Sequence, residues 1–343
     1  MKKIRAAVIG CGRISVVYQD AFAKLGGEAE IVLAMDKDLG RAQQFAAQHP
    51  GCAASDAVEP EAFRRTLRQF RPDIIHILLP HYLHCEYTIA ALESGVAVLT
   101  EKPIATTLAD ADRMIEAQKR TGMPLGVIFQ NRYIEGVQEV RRRILAGELG
   151  AVRGAFSTLN WYRPESYYRC DWKGSWQKEG GGVVMDQAIH SLDLVRYMTG
   201  SDPAEILAHT ARRVLTNIEV EDEADAAIRL GNGAMYSFFA CNYYTMNSPI
   251  RVEISCEKGT ALLTGMTMIL SGADGESETI APAAAPAAGQ SYWGNYHYAQ
   301  IADAYRALRE GRALPWTPQD ARKTLETVLG IYESARVCSP VKL

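Results

Sequence analysis

The first part of the chain alternates short apolar runs with helical patterns, and this alternation constrains the fold more than any other feature. Each run is typical of a strand that is buried on both faces, and each is followed by a segment with helical periodicity. Strands that alternate with helices of this length indicate βαβ units and a doubly wound parallel sheet. The predicted strands are Ile4 to Ile9, Ala29 to Met35, Asp73 to Leu79, Val96 to Thr100 and Leu125 to Phe129. The predicted helices are Ile14 to Leu25, Leu39 to Gln48, His84 to Glu93 and Leu108 to Thr121.

The pattern changes after about residue 150, where paired strands replace the alternation. Gly231-Asn232-Gly233 and Glu257-Lys258-Gly259 each lie between two strand-like runs, which is a hairpin signal. The second part is therefore predicted to be an α+β domain with a mostly antiparallel sheet. An Ala/Pro-rich loop is expected at Ala281 to Gly289, and an amphipathic helix at Asp320 to Val337.

Composition excludes several classes of protein. The formal net charge is −3, so the chain lacks the basic surface of a nucleic-acid-binding protein. No apolar stretch approaches the roughly 20 residues of a membrane helix, and the basic start Met1 to Arg5 leads into a strand rather than a signal peptide. The 7 cysteines are scattered and never form a C-x-x-C pair, which favours reduced thiols in the cytoplasm.

A glycine-rich turn follows the first predicted strand and opens the first helix: Gly10-Cys11-Gly12-Arg13-Ile14-Ser15. This is the dinucleotide-binding fingerprint, in which glycines permit a tight turn and let the pyrophosphate approach the helix N-terminus. Asp36 ends the second strand about 20 residues further on, where an acidic residue accepts hydrogen bonds from the ribose. Asp36 would repel a 2′-phosphate, which favours NAD; the neighbouring Lys37 leaves NADP open.

Two further loops follow predicted strands and are expected at the same edge of the sheet. Pro80 gives the first of them a fixed exit, His81 is expected to line the cofactor pocket, and His84 to begin the next helix. The second loop is Glu101-Lys102-Pro103, where the proline ends the strand. Open α/β sheets bind ligands at the carboxyl ends of their strands, so Lys102 is expected to face the ligand crevice rather than open solvent.

A second set of candidate residues follows the stretch Glu179-Gly180-Gly181-Gly182. Asp186 and His190 are four residues apart on a predicted helix and share a face, with Asp193 close to it. A histidine can exchange the proton of an alcohol, and a carboxylate can orient its ring. An ordinary helix with a hydrogen-bonded histidine explains the same spacing. A metal site is disfavoured, because no second histidine stands at ligand spacing.

An aromatic segment precedes the glycines. Arg163, Tyr167 and Trp172 are candidates for substrate contact, because aromatic faces stack on sugars and arginine binds carboxylate or phosphate. Core packing is the alternative role for these side chains, above all for tryptophan.

Taken together, the fingerprint at Gly10, the Glu101-Lys102-Pro103 motif and the glycine stretch that leads to Asp186 and His190 resemble the Gfo/Idh/MocA family. This is the glucose–fructose oxidoreductase, inositol dehydrogenase and rhizopine-catabolism family. The resemblance implies an N-terminal Rossmann domain at residues 1–124 and an α+β domain with an open-faced sheet at 125–319. It also implies that the terminal helix, 320–338, packs back on the first domain, and that the chain forms a homodimer or homotetramer.

The resemblance further implies an NAD(P)-dependent oxidoreductase, which transfers a hydride between the nicotinamide and a hydroxyl or ketone carbon of a sugar, sugar acid, cyclitol or nucleotide sugar. Lys102, Asp186 and His190 match the family's catalytic residues. The expected cofactor contacts are Gly10, Gly12, Arg13, Ile14, Asp36, Lys37, Pro80, His81, Glu101 and Lys102. Gln187 is bulkier than the small residue common near its position, which affects the substrate rather than the chemistry.

Three alternatives remain open from the sequence. An NAD-dependent glycosidase on the same fold would oxidise its sugar only transiently. A nicotinamide-binding regulator would have no turnover, and it would not need to keep Lys102 and His190. A dehydrogenase for a non-sugar alcohol or dihydrodiol would differ only in its substrate.

Overall fold

The computed structural model describes residues 3–283 and 296–343. These residues form two compact units. The first runs as far as Gln130 and resumes in the segment that ends at Arg322, and the second runs from Asn131 and resumes over Lys323–Leu343. The predicted loop Ala281 to Gly289 lies mostly outside the described residues.

The first unit contains a six-stranded parallel sheet. Its strands are β1 (Ile4–Ile9), β2 (Ala29–Met35), β3 (Ala53–Ser55), β4 (Ile74–Ile77), β5 (Ala97–Thr100) and β6 (Leu125–Val127). Their order in the sheet is β3-β2-β1-β4-β5-β6, and every pair is parallel. This is the strand order of the Rossmann fold, in which the direction of winding reverses between β1 and β4. The predicted doubly wound sheet is confirmed.

Helices follow these strands, and the ends of the four predicted ones agree with the predictions to within a few residues. They are α1 (Ser15–Lys24), α2 (Leu39–Ala46), α3 (Pro60–Phe70), α4 (His84–Glu93) and α5 (Leu108–Thr121). The sequence did not predict α3 or the short strand β3. Only Phe63, Thr66 and Leu67 of α3 are buried, so its apolar stripe is narrow and its charged face dominates the pattern.

The second unit contains a nine-stranded sheet, which is antiparallel except where β7 pairs with β10. Its strands are β7 (Val152–Asn160), β8 (Pro203–Ala211), β9 (Glu223–Leu230), β10 (Met235–Cys241), β11 (Arg251–Cys256), β12 (Gly259–Thr264), β13 (Thr267–Gly272), β14 (Ser277–Ile280) and β15 (Val341–Lys342). They lie in the order β14-β13-β12-β11-β7-β10-β9-β8-β15. Both predicted hairpins are present, as β9–β10 and β11–β12. Alternating burial along β9, β10 and β11 shows that one face is covered and the other is open.

Two helices of this unit, α6 (Glu135–Leu145) and α7 (Ile189–Thr199), pack on the covered face. The segment before α7 was predicted as part of one regular helix, and this was wrong. Val184–Ala188 instead forms a π-helical turn, and α7 starts after it. Such turns are rare, and they often occur at functional sites.

The predicted domain boundaries differ from the two units at residues 125–130, which include β6, and in the segment that contains α8 (His297–Arg309). This segment was assigned to the second domain, but it belongs to the first unit. Ile301, Ala304 and Tyr305 complete the core around β1 and α1, and the Tyr305 hydroxyl lies 2.8 Å from Nε2 of His76. A helix that contributes side chains to the core in this way cannot be assigned from local sequence alone.

The terminal helix α9 (Pro318–Val337) was expected to pack on the first domain, but most of it belongs to the second unit. The Thr324 hydroxyl donates a 2.8 Å hydrogen bond to Asp193, and the backbone amide of Ala208 donates one of 3.0 Å to the Ser334 hydroxyl. These bonds are buried, so they tie the helix to the second sheet and to α7.

Among the described residues, none of the helices combines the length and the apolar character needed to span a bilayer.

Candidate active site

The predicted cofactor residues of the first unit follow four neighbouring strands. They lie after β1 (Gly10, Gly12, Arg13 and Ile14), β2 (Asp36 and Lys37), β4 (Pro80 and His81) and β5 (Glu101 and Lys102). Because these strands are parallel and adjacent, their carboxyl ends meet at one edge of the sheet. The reversal of winding between β1 and β4 opens a ligand crevice at that edge.

The turn after β1 depends on its first glycine. Gly10 has a φ of +96°, and a Cβ at this position would lie 2.5 Å from the carbonyl oxygen of Leu78. Only glycine accepts both constraints. A Cβ on Gly12 would meet no atom of the chain within 4 Å, so the space beside this backbone is open. The turn therefore leaves room for a group that approaches the backbone closely.

Helix α1 begins directly after this turn. No side chain caps the helix at Ile14, and the Ser15 hydroxyl donates a 2.7 Å hydrogen bond back to the carbonyl of Gly12. An uncapped helix N-terminus favours an anion through its amide groups and its partial positive charge. A pyrophosphate fits this end of the helix.

Asp36 is held in place by the backbone. Its Oδ2 accepts a 2.8 Å hydrogen bond from the amide of Cys11, and its Oδ1 accepts one of 2.9 Å from the amide of Asp38. The carboxylate is buried and fixed beside the glycine turn, as the ribose of a dinucleotide requires. Burial raises the pKa of the Cys11 thiol to about 12, so this cysteine is an unreactive filler of the loop. Lys37 is exposed.

The two motif residues after β5 have different environments. Burial alone would raise the pKa of Glu101, but His297, Lys102 and Tyr18 outweigh it and lower that pKa to about 2. Its Oε1 accepts a 2.8 Å hydrogen bond from the Tyr18 hydroxyl and lies 3.4 Å from Nε2 of His297. The side chain of Glu101 therefore contacts α1 and α8, which makes it a support of the loop. Lys102 is half-buried.

In the second unit, Asp186 is the centre of a polar cluster. It lies in the π-helical turn. Its Oδ2 accepts hydrogen bonds from the Tyr167 hydroxyl at 2.7 Å, from Nζ of Lys173 at 2.5 Å and from the side-chain amide of Gln187. Three donors on one oxygen stabilise the ionised carboxylate and fix its orientation. His190 follows at the start of α7 and is 8% exposed.

Lys173 organises this cluster, and no motif in the sequence points to it. Its Nζ also lies 3.1 Å from Oε1 of Glu179, and 4.6 Å and 4.3 Å from the ring centroids of Tyr167 and Trp172. Burial lowers the pKa of Lys173, but Asp186, Tyr167 and Glu179 outweigh it, so that pKa lies well above its usual value. The only signal in the sequence was a lysine next to Trp172, and no local pattern showed that this lysine would be buried.

Glu179 is the second carboxylate that contacts Lys173. Burial raises its pKa to about 7, against the attraction of Lys173. One ammonium group therefore faces two carboxylates.

The glycine stretch is fastened to the rest of the unit by Glu221 and Tyr332. Glu221 is buried and accepts hydrogen bonds from the amides of Gly182 at 2.8 Å and Val184 at 3.0 Å, and from the Tyr332 hydroxyl at 2.9 Å. A Cβ on Gly182 would lie 1.9 Å from the carbonyl oxygen of Glu221. The glycines thus allow this close contact, which sets the position of the turn that carries Asp186.

The predicted substrate residues lie together but differ in role. Tyr167 donates directly to Asp186, and Trp172 contacts the cluster through Lys173. The guanidinium group of Arg163 is buried against Trp161 and Tyr167, and its Nη1 donates to the Tyr162 carbonyl at 2.8 Å and to Asn247 at 2.9 Å. These contacts of Arg163 are with the protein itself, as in the alternative role of core packing.

Asp193 forms a buried ion pair and has a structural role. Its carboxylate accepts from Nε of Arg132 at 2.7 Å and from Nη2 of the same residue, and both side chains are 2% exposed. In the described parts of the chain, no group of three His, Cys, Asp or Glu side chains could hold a metal ion.

Comparison with known proteins assigns both parts of the chain. Residues 4–129 match the model described as the oxidoreductase family with an NAD-binding Rossmann fold. Residues 137–262 match the model of the GFO/IDH/MocA C-terminal domain. Together the two matches span well over half of the chain.

Individual relatives are distant in sequence. D-glucoside 3-dehydrogenase of Escherichia coli (strain K12) is 27% identical over 252 residues, which cover 68% of this chain and 68% of that protein. The scyllo-inositol 2-dehydrogenase (NAD(+)) of Bacillus subtilis (strain 168) is 25% identical over 99% of this chain and 96% of its own. For another curated relative, the match covers only 49% of its length.

Solved structures agree over the full length. The WlbA dehydrogenase from Bordetella pertussis, in complex with NADH and UDP-GlcNAcA, has a TM-score of 0.84 at 29% identity and covers 100% of this chain and 99% of its own. With the strand order, the glycine turn and the two matched family models, this likeness confirms the resemblance predicted from the sequence. The chain belongs to the Gfo/Idh/MocA family of oxidoreductases and carries the NAD-binding Rossmann fold of that family.

Proposed function

We propose that this protein is an NAD-dependent dehydrogenase or reductase that acts on a CH–OH group of a sugar, sugar acid, cyclitol or nucleotide sugar. The observation that carries the proposal is the fixed Asp186 carboxylate beside Lys173, Tyr167 and Gln187, in a chain whose other unit holds a dinucleotide turn. A cluster of oriented polar groups next to aromatic rings suits a ligand with many hydroxyls.

The residues that would hold NAD fit its parts. The glycine turn and the N-terminus of α1 suit the pyrophosphate, and the fixed carboxylate of Asp36 suits the ribose. The nicotinamide supplies the acceptor or donor of hydride when the cofactor is bound. Pro80, His81 and Lys102 are proposed contacts in the loops after β4 and β5. Arg13, Ile14 and Lys37 remain proposed contacts, whereas Glu101 is proposed to act through the loop that it supports.

We propose separate roles for the three catalytic residues. His190 accepts the proton of the substrate hydroxyl during oxidation and returns it during reduction. Lys102 donates a hydrogen bond to the reacting oxygen and stabilises the negative charge that develops there. Asp186, with three donors on one oxygen, serves as an ionised hydrogen-bond acceptor that orients its partners. Tyr167 and Trp172 are proposed to contact the substrate at the edge of this cluster.

The proposal is tested by NADH formation against a panel of polyols, cyclitols, sugar acids and nucleotide sugars. NADH formation with at least one of these, and not with simple alcohols, is the expected result. Net cleavage of glycosides without net NADH would instead indicate the glycosidase reaction. Tight binding of NADH with no turnover on the whole panel would indicate a regulator.

Cofactor choice gives a prediction about Asp36. Replacing Asp36 by alanine should weaken the binding of NAD⁺, because its ribose loses a hydrogen-bond acceptor. It should strengthen the binding of NADP⁺, because the 2′-phosphate no longer meets a carboxylate. We expect the ratio of kcat/KM for NAD⁺ to that for NADP⁺ to fall at least about tenfold, which corresponds to about 1.4 kcal/mol. Asp38→Ala is the matched control, because Asp38 caps α2 instead and should leave the ratio unchanged. An unchanged ratio in Asp36→Ala would contradict the assignment.

We also propose that the protein is a homodimer or homotetramer in the cytoplasm. The open face of the nine-stranded sheet exposes three large apolar side chains, Phe156, Leu207 and Met235, as an interface between subunits would. All 7 cysteines are free, as in a reducing compartment. A light-scattering mass equal to one chain at micromolar concentration would contradict the oligomer.

A further inference from the structure

Lys173 is a buried lysine between two carboxylates and two aromatic rings of the second unit. Its Nζ lies 2.5 Å from Oδ2 of Asp186 and 3.1 Å from Oε1 of Glu179, and its side chain is 11% exposed. The rings of Tyr167 and Trp172 have their centroids 4.6 Å and 4.3 Å from the same nitrogen. Carboxylates and aromatic faces both favour an ammonium group over a neutral amine. Burial lowers the pKa of Lys173, but Asp186, Tyr167 and Glu179 outweigh it and raise that pKa well above its usual value, so the side chain is charged at neutral pH.

Glu179 holds Lys173 in place independently of Asp186. Its second oxygen, Oε2, accepts a hydrogen bond from the backbone amide of Gly174, and the residue is buried. Gly174 directly follows Lys173 in the chain, so Glu179 binds both the backbone after the lysine and its ammonium group. The ammonium group therefore has a fixed partner of its own, from which it can donate to Asp186.

Oδ2 of Asp186 also accepts from two neutral donors. The Tyr167 hydroxyl donates at 2.7 Å, and the side-chain amide of Gln187 donates to the same oxygen. Gln187 is itself oriented by Asn242, whose Nδ2 donates a 2.9 Å hydrogen bond to Oε1 of Gln187. These two donors direct the carboxylate but do not offset its charge. Lys173 supplies the positive charge that they lack.

Stability alone is a weak reason to bury such a charge. Removing ions from water costs about as much as their attraction returns, and apolar side chains of similar volume often serve a core equally well. We propose that Lys173 is a positioning residue: its ammonium group, anchored by Glu179, holds Asp186 as an oriented carboxylate. The relevance to catalysis rests on the proposed function, in which Asp186 orients its partners; the ionic contact itself does not.

The first test examines the ammonium group without cofactor or substrate. In protein labelled with ¹⁵N-lysine, the side-chain resonance that disappears in Lys173→Met identifies Lys173. The expected result at pH 7 is an ammonium group whose protons exchange slowly with water, because burial and hydrogen bonds protect them. A neutral amine, or an ammonium group that exchanges as fast as that of the more exposed Lys178, would overturn the inference whatever the enzyme's activity.

The second test measures the consequence for the reaction. Lys173→Met should lower kcat by about 10–100-fold, the size of one hydrogen bond to a charged group. The affinity for NADH in fluorescence titration should stay within about twofold, because the proposed cofactor contacts lie in the first unit. Lys178→Met is the control, because Lys178 donates to the backbone carbonyl of Asp171 and should affect neither quantity. A Lys173→Met enzyme with the kcat of the wild type would overturn the positioning role.

A neutral donor separates charge from hydrogen bonding. Gln187→Met removes a donor to Asp186 without changing any charge, so its kcat should fall by less than that of Lys173→Met. An equal or larger loss in Gln187→Met would show that the neutral hydrogen bonds, and not the ammonium group, position the carboxylate.

A further variant covers the case in which Lys173→Met does not fold. Lys173→Arg then identifies the lysine resonance, and Glu179→Gln takes the place of Lys173→Met in the kinetic test. Glu179 uses two acceptor oxygens, whereas a glutamine has one, so the variant cannot accept from both Lys173 and Gly174. Its kcat should fall with little change in NADH affinity, and an unchanged kcat would contradict the anchoring of Lys173.

The two hypotheses fail in different ways. Wild-type protein with a protected ammonium group at Lys173 that neither binds NADH nor oxidises any member of the panel would refute the proposed function and leave the ionic contact intact. Protein that turns over substrate equally well as wild type and as Lys173→Met would refute the positioning role alone.

Discussion

Replacing His190 by asparagine is expected to lower kcat by about 10²–10⁴-fold, the range of a lost general base. Asparagine keeps the polar character of this buried position but cannot take a proton, so binding of substrate and NADH should change little. The loss should therefore appear in kcat rather than in KM. Steady-state kinetics in the direction of oxidation measures it.

The pH dependence separates His190 from Lys102. Histidine is the side chain that commonly changes its charge between pH 5 and 8, so a wild-type rate that rises through this range should become flat in His190→Asn. Lys102→Met should retain the rise and lower the plateau by about 10²–10³-fold, as for the loss of one group that stabilises an oxyanion. If Lys102→Met removes the rise and His190→Asn keeps it, the two roles are exchanged.

Another histidine provides the control for this experiment. His209 on β8 has a side chain that is 63% exposed beside Asp225, and its replacement by asparagine should leave the rate and its pH dependence unchanged. A His190→Asn enzyme with the turnover and pH profile of the wild type would falsify the assignment of His190 as the base.

Replacing Arg132 by methionine is expected to lower the free energy of unfolding of the second unit by about 3–5 kcal/mol. The guanidinium group is buried against Asp193, so its removal leaves an uncompensated buried carboxylate that keeps only the hydrogen bond from Thr324. Methionine fills a similar volume, so the loss of stability should come mainly from the unpaired charge. Denaturant unfolding followed by the fluorescence of Trp161, Trp172 and Trp176, all in this unit, measures the change.

Two further variants show whether the charge is the cause. In Arg132→Met combined with Asp193→Leu, neither charge of the buried pair remains, and most of the lost stability should return. Arg336→Met breaks an exposed pair with Glu333 and should have almost no effect. A double variant that is less stable than Arg132→Met would show that the hydrogen bonds of Asp193, rather than its unpaired charge, dominate the change in stability.

Those parts of the fold that depend on local pattern were predictable. The βαβ alternation gave the parallel sheet, and the glycine turn with Asp36 gave the NAD-binding character that the family match confirms. The two hairpins followed from their turn residues. In each of these cases the signal lies within a few consecutive residues, where backbone conformation and side-chain period act directly.

The parts that were missed depend on contacts between residues far apart in the chain. The contacts of Lys173 come from Glu179 and Asp186, and the inward direction of Glu101 depends on Tyr18 and His297. The π-helical turn before α7 likewise depends on Glu221 and Tyr332, which hold the glycines that precede it. No spacing in the sequence encodes such partners, so the surroundings of the predicted site residues could not be predicted from it.

The return of α8 to the first unit determines when this protein can fold during its synthesis. Domains usually fold from the N-terminus as the chain leaves the ribosome, but here Tyr18, His76 and Glu101 receive their partners Tyr305 and His297 only near the end of translation. The entropic cost of holding the intervening segment as a loop grows only slowly with its length, so the delay is a matter of timing more than of stability. A nascent chain that stalls before His297 would expose an incomplete Rossmann core, which makes translation speed through the second unit a determinant of yield.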